Sequence, residues 1–181
     1  MFKKIRRALQ LQTGIIIAAG VLLGLGNVEQ TGDSLQVALP VAGLVCAIHN
    51  GDALKYTARY FSTILVVHAV KTGLGETQLN QRPSGSLQGV PSVHTASAGF
   101  GASYLVNDCL RKNKLMQGAA IFSGAYVGAS RIEAGKHFLF QVLVGALIGW
   151  FGDRAFVLYS LAKRTLNGFS APRLTSRRAN A

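Results

Sequence analysis

Three short polar clusters interrupt an otherwise apolar chain: Lys71 with Arg82-Pro83, then Pro91-Ser92-Val93-His94, then Ser130-Arg131 followed by His137. Imidazole supplies acid, base and nucleophile near neutral pH, and fixed cations hold the oxygens of a phosphoryl group. Two histidines together with a lysine and two arginines therefore suit phosphate chemistry. Each cluster borders an apolar run, which places that chemistry at a membrane surface. Other residues of the same types read more plainly: His49 and His68 as interfacial or packed side chains, Lys136 as a solvated charge, Glu76 as a loop residue. Arg82 and Arg131 also have an alternative use as lipid-headgroup anchors.

The elements that must position these clusters are helices. Of 181 residues 49% are apolar and only 14% charged, and glycine is abundant, the balance of a compact helical membrane protein. The net charge of +12 raises nucleic acid as a partner, but no basic groove with interleaved aromatics is present, so none is expected. Six apolar segments lie at roughly 9–27, 35–50, 54–71, 94–107, 115–130 and 138–158. They predict an all-α, six-helix integral membrane bundle. Crossing the hydrocarbon core takes about 20 helical residues, and only the first run meets that comfortably. That run follows Lys3-Lys4-Ile5-Arg6-Arg7, and its charge-free stretch Ala8–Val28 is too long for a signal peptide, so a retained helix is expected. Lys55 and Arg59 can snorkel at the start of the third segment. Asp153-Arg154 either ends the sixth segment or forms a pair within the membrane.

Threading the chain through six spans with the N-terminus inside puts fifteen of the 19 cations on the inner side. Only Lys71, Arg82, Arg131 and Lys136 fall outside, a strong positive-inside bias. Charge asymmetry, which is independent of any motif, thus gathers the polar clusters on one face, the extracytoplasmic one. Gly124 with Gly128 and Gly145 with Gly149 have the four-residue spacing that lets membrane helices approach closely. The outer loop Gly73–Val90 is long enough to cover a site. Residues 1–166 form one domain in this reading, and 167–181 a basic, disordered tail near anionic lipid. Cys46 and Cys109 show neither metal-ligand spacing nor a disulfide framework and read as free thiols.

The clusters resemble the three signature motifs of the type-2 phosphatidic acid phosphatases, K-x6-RP, PSGH and SR-x5-H-x3-D. That superfamily also holds soluble acid phosphatases and vanadium haloperoxidases. The matching elements occur in order over residues 71–141. The resemblance implies a metal-free phosphomonoesterase that needs no cofactor. His137 would attack phosphorus and form a phosphohistidine, and His94 would protonate the departing alcohol and then activate water. Lys71, Arg82, Ser92 and Arg131 would hold the phosphoryl oxygens. Such fixed cations can stabilise the charge spread over three equatorial oxygens without a metal.

Three positions depart from the family pattern. Lys71 stands eleven positions before Arg82, a longer gap that requires the extra residues to loop out. Val93 replaces the usual glycine, adding bulk and restricting the backbone. Gln141 stands where the family has the aspartate that orients the nucleophile; its carbonyl can accept the ring N–H but carries no charge. Glu133 would substitute only if the turn between it and His137 were helical. The expected activity is hydrolysis of a lipid phosphate monoester or diphosphate at a bacterial cytoplasmic membrane. Phosphatidic acid, phosphatidylglycerol phosphate, an isoprenyl diphosphate and lipid A phosphate are all substrates of the required type. Transfer of the phosphoryl group to another hydroxyl, or lipid binding without turnover, are the rival readings. Oligomeric state is left open.

Overall fold

The computed structural model describes the backbone of residues 2–23 and 26–169 and the side chains of residues 8–22 and 26–155. The described residues form six α-helices: α1 Phe2–Leu23, α2 Val28–Asn50, α3 Ala53–Leu74, α4 Val93–Tyr104, α5 Lys114–Glu133 and α6 Leu139–Phe169. A 3₁₀ turn at Gln78–Asn80 and a π-helical turn at Leu105–Cys109 complete the regular structure, and no strand occurs among the described residues. All six apolar segments are thus helical. Helix α6 reaches Phe169, and residues 170–181 of the expected tail lie outside the described residues.

One expectation about length is corrected. Among the described residues α2 is the helix long and apolar enough to cross a membrane, whereas the apolar part of α1 is the shorter Ala8–Leu22. At about 1.5 Å per residue, the 23 residues of α2 span roughly 34 Å. The run read as residues 9–27 ends where Asn27 caps the next helix, its side chain accepting the Gln30 N–H at 2.8 Å, so the second helix starts at Val28 and not near residue 35. An N-cap asparagine satisfies donors that a helix start leaves open, so a new helix begins there.

Helix α4 sits at the centre, and Phe100, Tyr104, Ala96 and Ala98 on it are fully or almost fully buried. Helix α6 presses against it through Gly145 and Gly149. A side chain at Gly149 would meet the Ala96 carbonyl oxygen at 2.1 Å, and one at Gly145 the Ser92 carbonyl oxygen at 2.5 Å. Those two glycines therefore bring α6 to the N-terminus of α4, where His94 lies. The outer surface is apolar instead: Leu54, Leu65, Phe122 and Leu115 are each at least 70% exposed. A belt of large exposed apolar side chains around a partly polar interior suits a lipid surround.

The polar side chains sort to the two ends of the bundle. At one end, Asp153 is fully buried, accepts the Ser103 hydroxyl at 2.6 Å and pairs with Arg154 at 2.7 Å and Arg59 at 3.3 Å. Asp153 and Arg154 thus belong to a buried ion network that ties α3, α4 and α6. Cys46 and Cys109 meet at the same end in a disulfide, with Cα atoms 6.2 Å apart. This corrects the reading of both as free thiols. The pairing is long-range, joining α2 to the π-helical turn across 63 positions, and only the packing of those helices reveals it. The opposite end holds the start of α2, the end of α3, the start of α4, the end of α5 and the start of α6. All three motif clusters are there.

Candidate active site

His137 lies in the short connection between α5 and α6 and is 4% exposed. Its Nδ1 is 3.1 Å from Oε1 of Gln141. Gln141 is fully buried, and its amide orientation follows from its other partners. Oε1 accepts the Phe138 backbone N–H at 3.2 Å, while Nε2 donates to the Gln81 carbonyl at 2.7 Å. Because Oε1 can only accept, Nδ1 of His137 must carry the proton. The lone pair is then on Nε2. Burial pushes the His137 imidazole down to about 4, Gln141 opposes the shift, and the charges of Arg82 and Lys71 reinforce it. The ring is therefore neutral at physiological pH, the form that acts as a nucleophile.

Glu133 takes no part in this. Helix α5 ends at Glu133, and Gly135 with φ of 64° turns the chain before His137, so the two do not share a helix face.

His94 is the second residue of α4. The helix starts there because the Ser92 hydroxyl accepts the Thr95 backbone N–H at 3.4 Å and the Thr95 hydroxyl at 3.0 Å. Ser92 is fully buried, so its hydroxyl serves the cap behind the cleft wall and does not line the cleft. Val93 opens α4 in ordinary helical conformation, so no glycine-specific backbone is required at that position. Its bulk faces the cleft on one side and an apolar groove between α2, α3 and α4 on the other.

The long gap between Lys71 and Arg82 is absorbed by Asn80. This fully buried side chain donates to the carbonyls of Lys71 at 3.0 Å and Gly75 at 2.7 Å, and accepts the Val90 N–H at 3.1 Å. Gly89 N–H donates in turn to the Asn80 carbonyl at 2.7 Å. The loop is thereby folded into a compact unit that carries Arg82 back to Lys71. Both cations donate to the Gln88 carbonyl, Arg82 through Nη2 at 3.3 Å. Gln88 adopts φ of 67°, which turns that carbonyl toward them. Nε of Arg82 is buried without a hydrogen-bond partner among the described residues. A buried cationic donor left unpaired is costly and points to an anionic ligand.

Arg131, in the last turn of α5 and 3% exposed, is held by α2. Its Nη2 donates to the Glu29 carbonyl at 2.8 Å, and its Nη1 lies 2.9 Å from Oδ1 of Asp33 and 3.7 Å from Oε1 of Glu29. The same Asp33 oxygen is 3.2 Å from Nε2 of His94. Lys136 approaches Glu29 at 3.8 Å.

These groups face one cleft of about 390 Å³. Lys71, Arg82, His94, Arg131 and His137 all line it, although they come from three helices and two connecting segments and span 67 positions. Ser92 and Gln141 support it from behind. The cleft also holds groups that the motifs did not single out, namely Glu29, Asp33, Gln88, His68 and Lys136. His68 and Lys136 therefore stand at the site and not merely at an interface or in solvent. Among the described residues no three His, Cys, Asp or Glu side chains gather as for a metal cage. The arrangement offers a neutral imidazole, a second imidazole beside a carboxylate, and several cations around a space large enough to admit a phosphoryl group.

No curated protein and no solved structure gives a match to the chain. The family model described as PAP2 superfamily matches residues 15–165, which covers every element of the cleft. The chain belongs to the PAP2 superfamily and is a phosphatase-type protein of that family.

Proposed function

We propose that this protein hydrolyses a phosphate monoester or diphosphate on a lipid through a phosphohistidine, without a metal. The observation that most supports this is the His137–Gln141 pair, which fixes a neutral imidazole with its Nε2 lone pair available to the cleft. Nε2 of His137 attacks phosphorus in line, and His94 gives its proton to the departing alkoxide. Lys71, Arg82 and Arg131 hold the non-bridging oxygens, with the unpaired Nε of Arg82 a donor to one of them. Water then loses a proton to His94 and displaces the phosphoryl group from His137, releasing phosphate. Ser92 contributes by capping α4 and so fixing where His94 starts.

The apolar belt, α2 and the cleft at the end of the bundle, where headgroups would lie, support a lipid as the class of substrate. In this reading the chain is a multi-pass protein of the bacterial cytoplasmic membrane. The cleft and the loop Gly73–Val90 face outward, while the Asp153 end with its cations faces the cytoplasm. A neutral Gln141 in place of a carboxylate favours a second reading, a lipid-phosphate-binding protein without turnover. The deciding experiment measures phosphate release from a panel of purified lipid phosphates and diphosphates, with His137→Ala as the blank. Release above the blank supports the hydrolase, and binding with no release supports the second reading. Labelled product on an added alcohol in place of free phosphate would reveal transfer.

A further inference from the structure

Among the described residues the carboxylates on the cleft are Glu29 and Asp33, both from α2 and outside the three motifs. The nucleophile His137 has a neutral amide for its partner. The other histidine does not: Oδ1 of Asp33 stands 3.2 Å from Nε2 of His94 and 2.9 Å from Nη1 of Arg131. Arg131 in turn is fastened to the α2 backbone through the Glu29 carbonyl, so guanidinium and carboxylate are held on one scaffold. Helix α2 is continuous over Val28–Asn50, which leaves Asp33 only its own side-chain rotation. Nε2 of His94 is within ion-pair distance of Asp33 Oδ1, an atom that is buried without a hydrogen-bond partner among the described residues, so Nε2 is the ring nitrogen placed to give it one and Nδ1 is the one left for a substrate.

We propose that Asp33 is a positioning residue for proton transfer, holding His94 so that Nδ1 meets the leaving oxygen and locking Arg131 beside it. This rests on the phosphatase reading above. In the first step the N–H of Nδ1 in the imidazolium passes its proton to the alkoxide as the P–O bond to the alcohol breaks and the bond to Nε2 of His137 forms. In the second step Nδ1 takes a proton from water as that water's oxygen bonds to phosphorus and the P–N bond breaks. Asp33 keeps its charge throughout and accepts from Nε2–H, the same division of labour as in a catalytic triad. The carboxylate that the site lacks at the nucleophile is thus present at the acid.

The test uses the dependence on leaving group. A general acid matters for an alkyl phosphate, whose alkoxide leaves poorly, and little for a nitrophenyl phosphate, whose phenolate leaves unaided. General acids contribute about 10²–10⁴-fold. Asp33→Asn keeps shape and can still accept from Arg131, and it should lower kcat on a short-chain alkyl phosphate by about 10²-fold. KM for the alkyl phosphate should change little, and the first-turnover burst of nitrophenolate, which reports P–O cleavage before water attacks, should keep its rate within a few-fold. His94→Ala should show the same selective loss, and adding Asp33→Asn to it should cost almost nothing more, because coupled residues are not additive. Equal losses on both substrates, or additive losses in the double variant, would mean that Asp33 only braces the fold. A lower KM with unchanged kcat would mean that its carboxylate merely occupies the phosphate position, and would overturn the proposal. If His94→Ala itself shows no leaving-group selectivity, it is the phosphatase assignment of His94 that fails.

Discussion

Replacing Gln141 by aspartate tests the nucleophile's support directly. When His137 takes the phosphoryl group its ring becomes cationic, and the partner at Nδ1 then faces a charge. A hydrogen bond to a charged group is worth about 1.5–3 kcal/mol against about 0.5–1.5 for a neutral pair. A carboxylate at 141 should therefore stabilise the phosphohistidine and the transition state before it by about 1–1.5 kcal/mol, or roughly tenfold in rate. The carboxylate-to-amide change in a protease triad costs about 10⁴, but there the wrong tautomer forms. Here the amide already holds the right tautomer, since its orientation is pinned by Phe138 N–H and the Gln81 carbonyl, so only the charge is to be gained.

The same contacts set the cost. Gln141 donates to the Gln81 carbonyl at 2.7 Å, one residue before Arg82, and aspartate cannot donate there. Leaving that part-buried acceptor without its donor should reduce stability by about 1 kcal/mol. Glutamate would press its second oxygen against the same carbonyl and be driven to its neutral form, which forfeits the charge. The expected order of kcat is Gln141→Asp above wild type, with Gln141→Glu at or below it and His137→Ala inactive in every background. Turnover of purified protein on one lipid phosphate, with thermal unfolding of each variant alongside, measures both effects. A Gln141→Asp protein that is folded but no faster than wild type would refute the argument that position 141 lacks only a charge.

The remaining predictions concern other parts of the site and scaffold. Because His137 is pushed down to about 4, the folded chain binds fewer protons than the unfolded chain between about pH 4 and 6.5. Stability should therefore fall as pH drops through that window, by on the order of 2–3 kcal/mol from this group, and His137→Gln should remove that part of the slope in denaturation measured at each pH. The nucleophile should stay competent down to about pH 4 once the substrate's own ionisation near pH 6 is corrected for, and Gln141→Asp should move that limb upward. Arg131→Ala should both slow turnover, by about 10²–10³-fold, and destabilise by about 1–2 kcal/mol, since Asp33 loses its partner but is half exposed and can be hydrated. Arg131→Lys should recover stability better than rate because lysine lacks the planar fork. Opening the Cys46–Cys109 link by Cys46→Ser with Cys109→Ser frees a loop of 63 positions and should cost about 4 kcal/mol on the chain-entropy account. As the disulfide lies at the far end of the bundle, kcat/KM of the folded variant should be unchanged.

What was legible in the chain was whatever local pattern or net charge carries. Apolar runs gave all six helices, and Gly145 with Gly149 were visible as a close-packing pair because their spacing is local. The motif cations and histidines could be gathered on one face by counting Lys and Arg alone. The disulfide was hidden because its partners are far apart in sequence and no local pattern links them. The early start of α2, at Val28 and not near residue 35, was hidden because it hangs on one capping contact of Asn27. Ser92 looked like a phosphate ligand from its motif, yet its hydroxyl is engaged by Thr95 at the start of α4. Glu29 and Asp33 were missed for a different reason. The positive-inside rule counts only cations, so the acids were never threaded through the same six spans. Had they been, both would have fallen on the cleft side, beside an arginine that must be buried to reach phosphate. A buried guanidinium needs a carboxylate or several carbonyls around it. That requirement, applied to Arg131, leads to the first turns of α2, and from Asp33 to His94.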